Sequence, residues 1–176
     1  MIVSETKLKG AFIVELEKRE DVRGFFSLSW SQKEFESLGL NSRLVECNIS
    51  FNRIKGTLRG RHFQVAPYAQ AKLVRCTSGS VYDVIIDLRG DSPTFKQWSA
   101  VNLTAENHRA LYVPEGFAHG FQTLEDRTEI LYQMSEIYAP ECSRGIRWND
   151  PQFNVEWPAA ERIIIDRDNS FEDWKP

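Results

Sequence analysis

Apolar, β-branched and aromatic residues in this chain come in short runs, separated at close intervals by Gly, Pro, Asn, Asp and Ser. Such runs read as strands, because a helix of similar apolar content needs a longer stripe spaced by three and four residues. The candidate strands are 11–16, 24–29, 43–50, 57–64, 71–77, 80–88, 97–103, 110–113, 120–124 and 128–134. Ser78-Gly79 and Arg89-Gly90-Asp91-Ser92-Pro93 read as turns. One helix start is marked: Ser31-Gln32-Lys33-Glu34 has a capping-box pattern, Trp30 and Phe35 can form its hydrophobic staple, and Gly39 is a stop. Many short strands with so little helix predict an all-β protein, a jelly-roll or sandwich barrel with one or a few short helices. The inward faces of such a barrel can line a ligand cavity.

No repeat, low-complexity tract or linker divides the 176 residues, so a single domain over 1–176 is expected. A hydrophobic content of 41% supplies a packed core, and a formal net charge of −3 argues against a general nucleic-acid binder. Cys47, Cys76 and Cys142 form no C-x-x-C pair, which predicts reduced thiols and a cytoplasmic chain. The first residues hold no long apolar stretch of signal-peptide type, and no run reaches the length of a membrane span. Neither nucleic acid nor membrane is an expected partner.

Against this background the polar content of two strand-like segments stands out. Gly56-Thr57-Leu58-Arg59-Gly60-Arg61-His62-Phe63-Gln64 and Gln70-Ala71-Lys72-Leu73-Val74-Arg75 place arginines, a lysine and a histidine where apolar residues are the rule. Burying such groups without partners is costly, so their presence points to a site that holds an anion and moves a proton. Of the three histidines, His119 lies in another strand-like run, 111–121, while His108 sits in a polar turn and reads as surface. Arg53 and Lys55 read as charges on a solvated strand edge.

The motifs taken together are specific. Leu58-Arg59-Gly60-Arg61-His62-Phe63-Gln64, Tyr68-Ala69-Gln70-Ala71-Lys72-Leu73-Val74-Arg75-Cys76, Asp83-Val84 with Asp87-Leu88-Arg89, Ser92-Pro93-Thr94-Phe95, Pro114-Glu115-Gly116-Phe117-Ala118-His119-Gly120-Phe121 and Trp148-Asn149-Asp150-Pro151 stand in fixed order. In this the chain resembles the dTDP-4-dehydrorhamnose 3,5-epimerases, from about Gly24 to Pro158. The resemblance implies a jelly-roll cupin fold, a homodimer, a dTDP-linked 4-keto-6-deoxy sugar as substrate and no cofactor or metal. It also implies site residues. His62 matches the catalytic base, Asp168 the aspartate that orients it (with Asp166 as a rival), Tyr132 the general acid, and Lys72 and His119 polar residues of the sugar site. Arg59 and Arg23 match arginines for the diphosphate, Arg23 being given to the partner subunit. Phe26, Glu46, Asn48, Gln64 and Tyr138 complete the expected substrate contacts.

The chemistry fits these residue types. Inverting a carbon beside a ketone needs a base for the carbon-bound proton, a positive group for the enolate, and an acid on the opposite face. Histidine, lysine and tyrosine suit the three tasks. None of the steps requires a metal, flavin or nicotinamide. Metal-binding cupins typically carry H-x-H, whereas this chain has His62-Phe63-Gln64, one ligand short. Trp148-Asn149-Asp150-Pro151 reads as a structural turn whose tryptophan packs on the barrel.

The match departs at four positions near the site: Arg61 stands where an apolar residue is usual, Leu28 and Ser143 where acidic residues are usual, and Glu46 where a glutamine is usual. The proton-transfer set is kept while the recognition set is changed. That leaves open a different base or sugar, inversion at C3 or C5 alone, a ketoisomerase, or a non-catalytic sugar-nucleotide binding module. Geometry adds a further expectation. Arg59 and His62 point to opposite faces of a regular strand, so both can serve one site only if the strand bulges, most naturally at Gly60, with Arg61 as the odd residue.

Overall fold

The computed structural model describes residues 1–175. Thirteen strands run as β1 (Ile2–Glu5), β2 (Phe12–Glu15), β3 (Arg19–Asp21), β4 (Gly24–Phe26), β5 (Glu46–Asn52), β6 (Leu58–Gln64), β7 (Lys72–Ser78), β8 (Ser80–Asp87), β9 (Trp98–Thr104), β10 (Ala110–Val113), β11 (Phe117–Thr123), β12 (Thr128–Met134) and β13 (Ser143–Gly145). Two short α-helices, α1 (Gln32–Ser37) and α2 (Asp166–Asn169), and a 3-10 turn at Pro140–Cys142 complete the described residues. A six-stranded sheet has the order β1-β2-β10-β7-β12-β5, and a five-stranded sheet the order β13-β6-β11-β8-β9. β3 and β4 form a separate hairpin. This is the jelly-roll barrel that the strand pattern predicts.

The two sheets close on a core of Val74, Leu111 and Ile130 from one side and Val81, Ile85, Leu103, Phe117 and Phe121 from the other. Strand alternation decides the rest. On β7, Val74 and Cys76 enter this core, while Leu73 faces outward and packs with Phe35 of α1. Lys72 shares the inward face with Val74 and Cys76, and Tyr132 shares it with Ile130. The same alternation that builds the core therefore delivers two polar side chains into the barrel.

Helix α1 follows its sequence signals. The Ser31 hydroxyl accepts the Glu34 amide at 3.4 Å, and the Trp30 and Phe35 rings lie 6.3 Å apart. Gly39 adopts φ +70°, and the amides of Gly39 and Leu40 bond the carbonyls of Glu36 and Phe35, a Schellman closure.

Three strands lie outside the expected set: β1, β3 and β13. They are short, and backbone pairing with a neighbour defines them. β5 starts later than expected, at Glu46, and β11 earlier, at Phe117. His108, read as a surface residue, is half-buried, with the Phe25 ring edge-on at 4.9 Å. Arg53 and Lys55 are exposed.

The bulge expected at Gly60 is present. β6 and β11 pair His62 with His119 and Arg59 with Phe121, so Gly60 and Arg61 together oppose Gly120 alone. Gly60 has φ +123°, and a Cβ there would overlap the Gly120 backbone. Arg59 and His62 consequently share the inward face. Arg61 is fully buried on the other side, over the Phe153 ring.

The segment between β13 and α2 covers the outer face of the five-stranded sheet. Ile146 and Phe153 pack on Ile86 and Ala118, and Trp157 packs on Leu58 and Val84. Trp148 joins the second group, and its carbonyl accepts the Trp157 indole N–H at 3.0 Å. The turn that begins at Trp148 is thus structural, as its residues suggest. The segment ends in α2, whose Asp168 bonds Gly60 and His62 of β6.

Candidate active site

Between the two sheets lies a cavity of about 360 Å³. The five-stranded sheet lines it with Arg59, His62, Gln64 and His119, and the six-stranded sheet with Lys72 and Tyr132. Tyr138 lies on the loop after β12, and α2 closes one side with Arg167 and Asp168. Eight of the twelve site residues expected from the sequence therefore meet in one cavity.

His62 Nε2 lies 2.8 Å from Asp168 Oδ1, and the other Asp168 oxygen accepts the Gly60 amide at 3.2 Å. Asp168 is 2% exposed, whereas Asp166 is open to solvent, so the carboxylate that meets His62 is Asp168 and not Asp166. Burial pushes the Asp168 carboxyl up. The His62 ring, the Gly60 amide and Arg167 outweigh burial and hold it below the ordinary carboxylate range. Asp168 is thus ionised beside the imidazole.

A second histidine–carboxylate pair includes His119 of the cavity lining. His119 Nε2 lies 2.9 Å from both oxygens of Asp83, and both residues are buried. The His119 ring meets the Tyr132 ring edge-on at 5.9 Å. Burial, reinforced by the Asp83 charge, raises the Tyr132 hydroxyl well above its ordinary value, so Tyr132 remains protonated. Burial lowers the Lys72 ammonium to about 8, with Asp83 opposing the shift. Lys72 Nζ donates to the His62 carbonyl at 3.3 Å, which fixes the cation beside the strand that carries His62.

Sequence reasoning quoted Asp83 within a motif but gave it no role. The available signal was a carboxylate set between Tyr82 and the apolar run Val84-Ile85-Ile86 of a strand. Arg167 and Phe171 were missed altogether, because the stretch around them carries no periodic pattern.

The remaining expected residues fall in different places. Arg59 Nε donates to Asn52 Oδ1 at 2.7 Å, which holds the guanidinium at the mouth. Gln64 lines the cavity, but its amide is committed to the backbone: it donates to the Tyr68 and Ile137 carbonyls and accepts from the Ala139 amide. Asn48 and Glu46 lie on the edge strand β5, opposite Tyr132 and Met134, and so face the same side. Glu46 accepts the Tyr138 amide at 3.4 Å. The structure does not bring Arg23 and Phe26 into the cavity. Both are exposed on the β3–β4 hairpin, where Arg23 pairs with Asp21 at 2.6 Å.

Of the four departures, Ser143 lines the cavity, Glu46 borders it, Leu28 is exposed, and Arg61 points away. Among the described residues, no group of three or more His, Cys, Asp or Glu side chains is arranged to hold a metal ion. Among the described residues, no helix is long and apolar enough to cross a membrane.

Comparison with known proteins gives a consistent picture. The family model for dTDP-4-dehydrorhamnose 3,5-epimerase matches residues 5–175. The chain is 46% identical over 169 residues to the dTDP-4-dehydrorhamnose 3,5-epimerase of Shigella flexneri, covering 96% of this chain and 93% of that protein. It superposes with a TM-score of 0.93 on the Bacillus anthracis dTDP-4-dehydrorhamnose 3,5-epimerase solved with TDP and pyrophosphate bound. Identity there is 44%, over 97% of this chain and 98% of that one. A dTDP-6-deoxy-D-glucose-3,5-epimerase from Legionella pneumophila, solved with dTDP-4-keto-L-rhamnose, gives a TM-score of 0.89 at 37% identity, over 97% and 90% of the two chains.

Proposed function

The chain belongs to the dTDP-4-dehydrorhamnose 3,5-epimerase family and is an epimerase, and we propose that it inverts C3 and C5 of a dTDP-linked 4-keto-6-deoxy sugar through an enolate. The observation that carries this reading is the placement of His62 and Tyr132 on opposing sheets facing one cavity. A planar enolate held between the sheets presents one face to each residue. His62, oriented by Asp168, removes the carbon-bound proton. The electron pair moves into the neighbouring carbonyl, and the Lys72 ammonium stabilises the oxyanion. Tyr132 O–H returns a proton to the other face of the same carbon. The oxidation level of the sugar does not change. Arg59 and Arg167 at the mouth suit the diphosphate.

The second copy of a homodimer accounts for Arg23 and Phe26. They sit on an exposed hairpin outside the cavity of their own chain, from which they reach the cavity of a neighbour. Sedimentation of the wild type and an Arg23→Ala variant tests this: a dimer whose KM rises in the variant supports it, and a fully active monomer excludes it.

The test of the activity is incubation with dTDP-4-keto-6-deoxyglucose in D₂O, read by mass spectrometry and proton NMR. Deuterium at both C3 and C5, lost in His62→Ala, supports the reading. Deuterium at one carbon makes the chain a single-site epimerase, in line with the altered Glu46 and Ser143. No exchange overturns the proposed substrate.

A further inference from the structure

The geometry points to Phe171 as a positioning residue for His62, seated in the side-chain slot that Gly145 leaves empty. Gly145 on β13 lies directly opposite His62 on β6. Residues paired in this way project their side chains to the same face, so a side chain at 145 would lie against the imidazole. Gly145 has none, and the Phe171 ring takes the space: a Cβ at Gly145 would overlap that ring. The Phe171 ring meets the His62 imidazole edge-on, at 5.8 Å and 73°.

Both sides of Phe171 are anchored. Just before it, the Ser170 amide bonds the Asp166 carbonyl at 2.9 Å and ends α2. Just after it, Asp173 accepts from Arg147 Nη2 at 2.5 Å, and the Trp174 amide bonds Asp150 Oδ2 at 2.6 Å. One short segment thus carries both the carboxylate that bonds His62 and the ring that packs on it.

The two contacts restrict different freedoms. The bond from Nε2 to Asp168 fixes one atom of the imidazole and leaves the ring free to turn about that contact. A second ring packed steeply against the imidazole restrains that rotation. With both in place, the nitrogen that faces away from Asp168 has a defined direction. Rate is sensitive to that direction, since a misplacement of about 1 Å can cost about 100-fold. The inference rests on the proposed role of His62 as base.

The test uses Phe171→Ala, Gly145→Ala and the double variant in the intact chain, with dTDP-4-keto-6-deoxyglucose as probe. Gly145 has no positive φ, so alanine suits its backbone, and the first thing its Cβ meets is the Phe171 ring. kcat is expected to fall about 10- to 100-fold in each single variant, with KM unchanged within about twofold. The double variant is expected to be no worse than Phe171→Ala, because the displaced ring is already gone. The ¹⁵N resonances of His62 should shift or broaden in both single variants as the ring plane loses its restraint, while the tautomer held by Asp168 is kept.

Wild-type kcat and an unmoved His62 spectrum in Phe171→Ala would overturn the inference, and so would losses that multiply in the double variant. If Phe171→Ala does not fold, Gly145→Ala carries the same readings. His62→Ala separates the two layers. Exchange lost there but intact in Phe171→Ala sinks the positioning role alone. Exchange retained in His62→Ala sinks the base assignment, while the His62 spectrum still decides whether Phe171 orients the ring.

Discussion

His62 and Asp168 stand 106 residues apart in sequence and 2.8 Å apart in space. The pairing has a direct consequence for rate. Asp168→Asn keeps the shape of the side chain but removes the charge that holds the imidazole and stabilises its protonated form. A fall in kcat of about 10²- to 10⁴-fold is expected, with little change in KM. Steady-state kinetics on the keto sugar measures it, and a variant with wild-type kcat would sink the role of the pair.

Tyr132 and His62 separate on a different readout. Tyr132→Phe removes the acid but leaves the base. Carbon-bound protons of the substrate should still exchange with D₂O in this variant, while inverted product falls by about 10²-fold or more. Proton NMR follows both at once. Equal loss of exchange and inversion would place Tyr132 at the first step.

Lys72 sets the alkaline limb. Its ammonium titrates at about 8 because burial disfavours the charge. The cation that stabilises the enolate is therefore present below that value and lost as pH rises through it. kcat/KM should fall above about pH 8, and Lys72→Arg, whose guanidinium keeps its charge, should remove that limb. The same shift affects folding with the opposite sign. Between about 8 and the unfolded value of 10.5 the unfolded chain binds the extra proton, so stability rises with pH across that window. Rate profiles and urea midpoints at several pH values check both statements.

Arg61 predicts a gain in stability. Its guanidinium is buried, Nε and Nη1 have no partner, and Nη2 donates only to the Arg147 carbonyl. Burial lowers its pKa to about 10. Arg61→Met keeps the stem over Phe153 and removes the unpartnered charge. A gain of about 1–4 kcal/mol is expected in chemical denaturation. Activity should be unchanged, because Arg61 points away from the cavity.

Gly60 predicts a loss. Alanine there meets both a positive φ and the Gly120 backbone. Gly60→Ala should cost about 1 kcal/mol or more and lower kcat, because the bulge places Arg59 and His62 on one face. A folded variant with wild-type kcat would show that the bulge is not needed for the site.

The sequence by itself determined a good deal. Alternation at Lys72, Val74 and Cys76, and at Ile130, Tyr132 and Met134, is a local property of extended backbone, so the strands that carry them were readable. The α1 cap at Ser31 and stop at Gly39 rest on side chains and backbone within a few residues. Even the bulge followed from requiring Arg59 and His62 to share a face. Tertiary structure decided what local rules do not reach. The choice of Asp168 over Asp166 depends on how the chain beyond β13 wraps the outer sheet, anchored by Phe153, Trp157 and Trp174. The pairing of Asp83 with His119 depends on which strands become neighbours. Phe171 reaches His62 only because β13, three residues long and without a pattern of its own, sets Gly145 opposite. These contacts join segments far apart in the chain, and their partners are fixed by packing of the whole barrel.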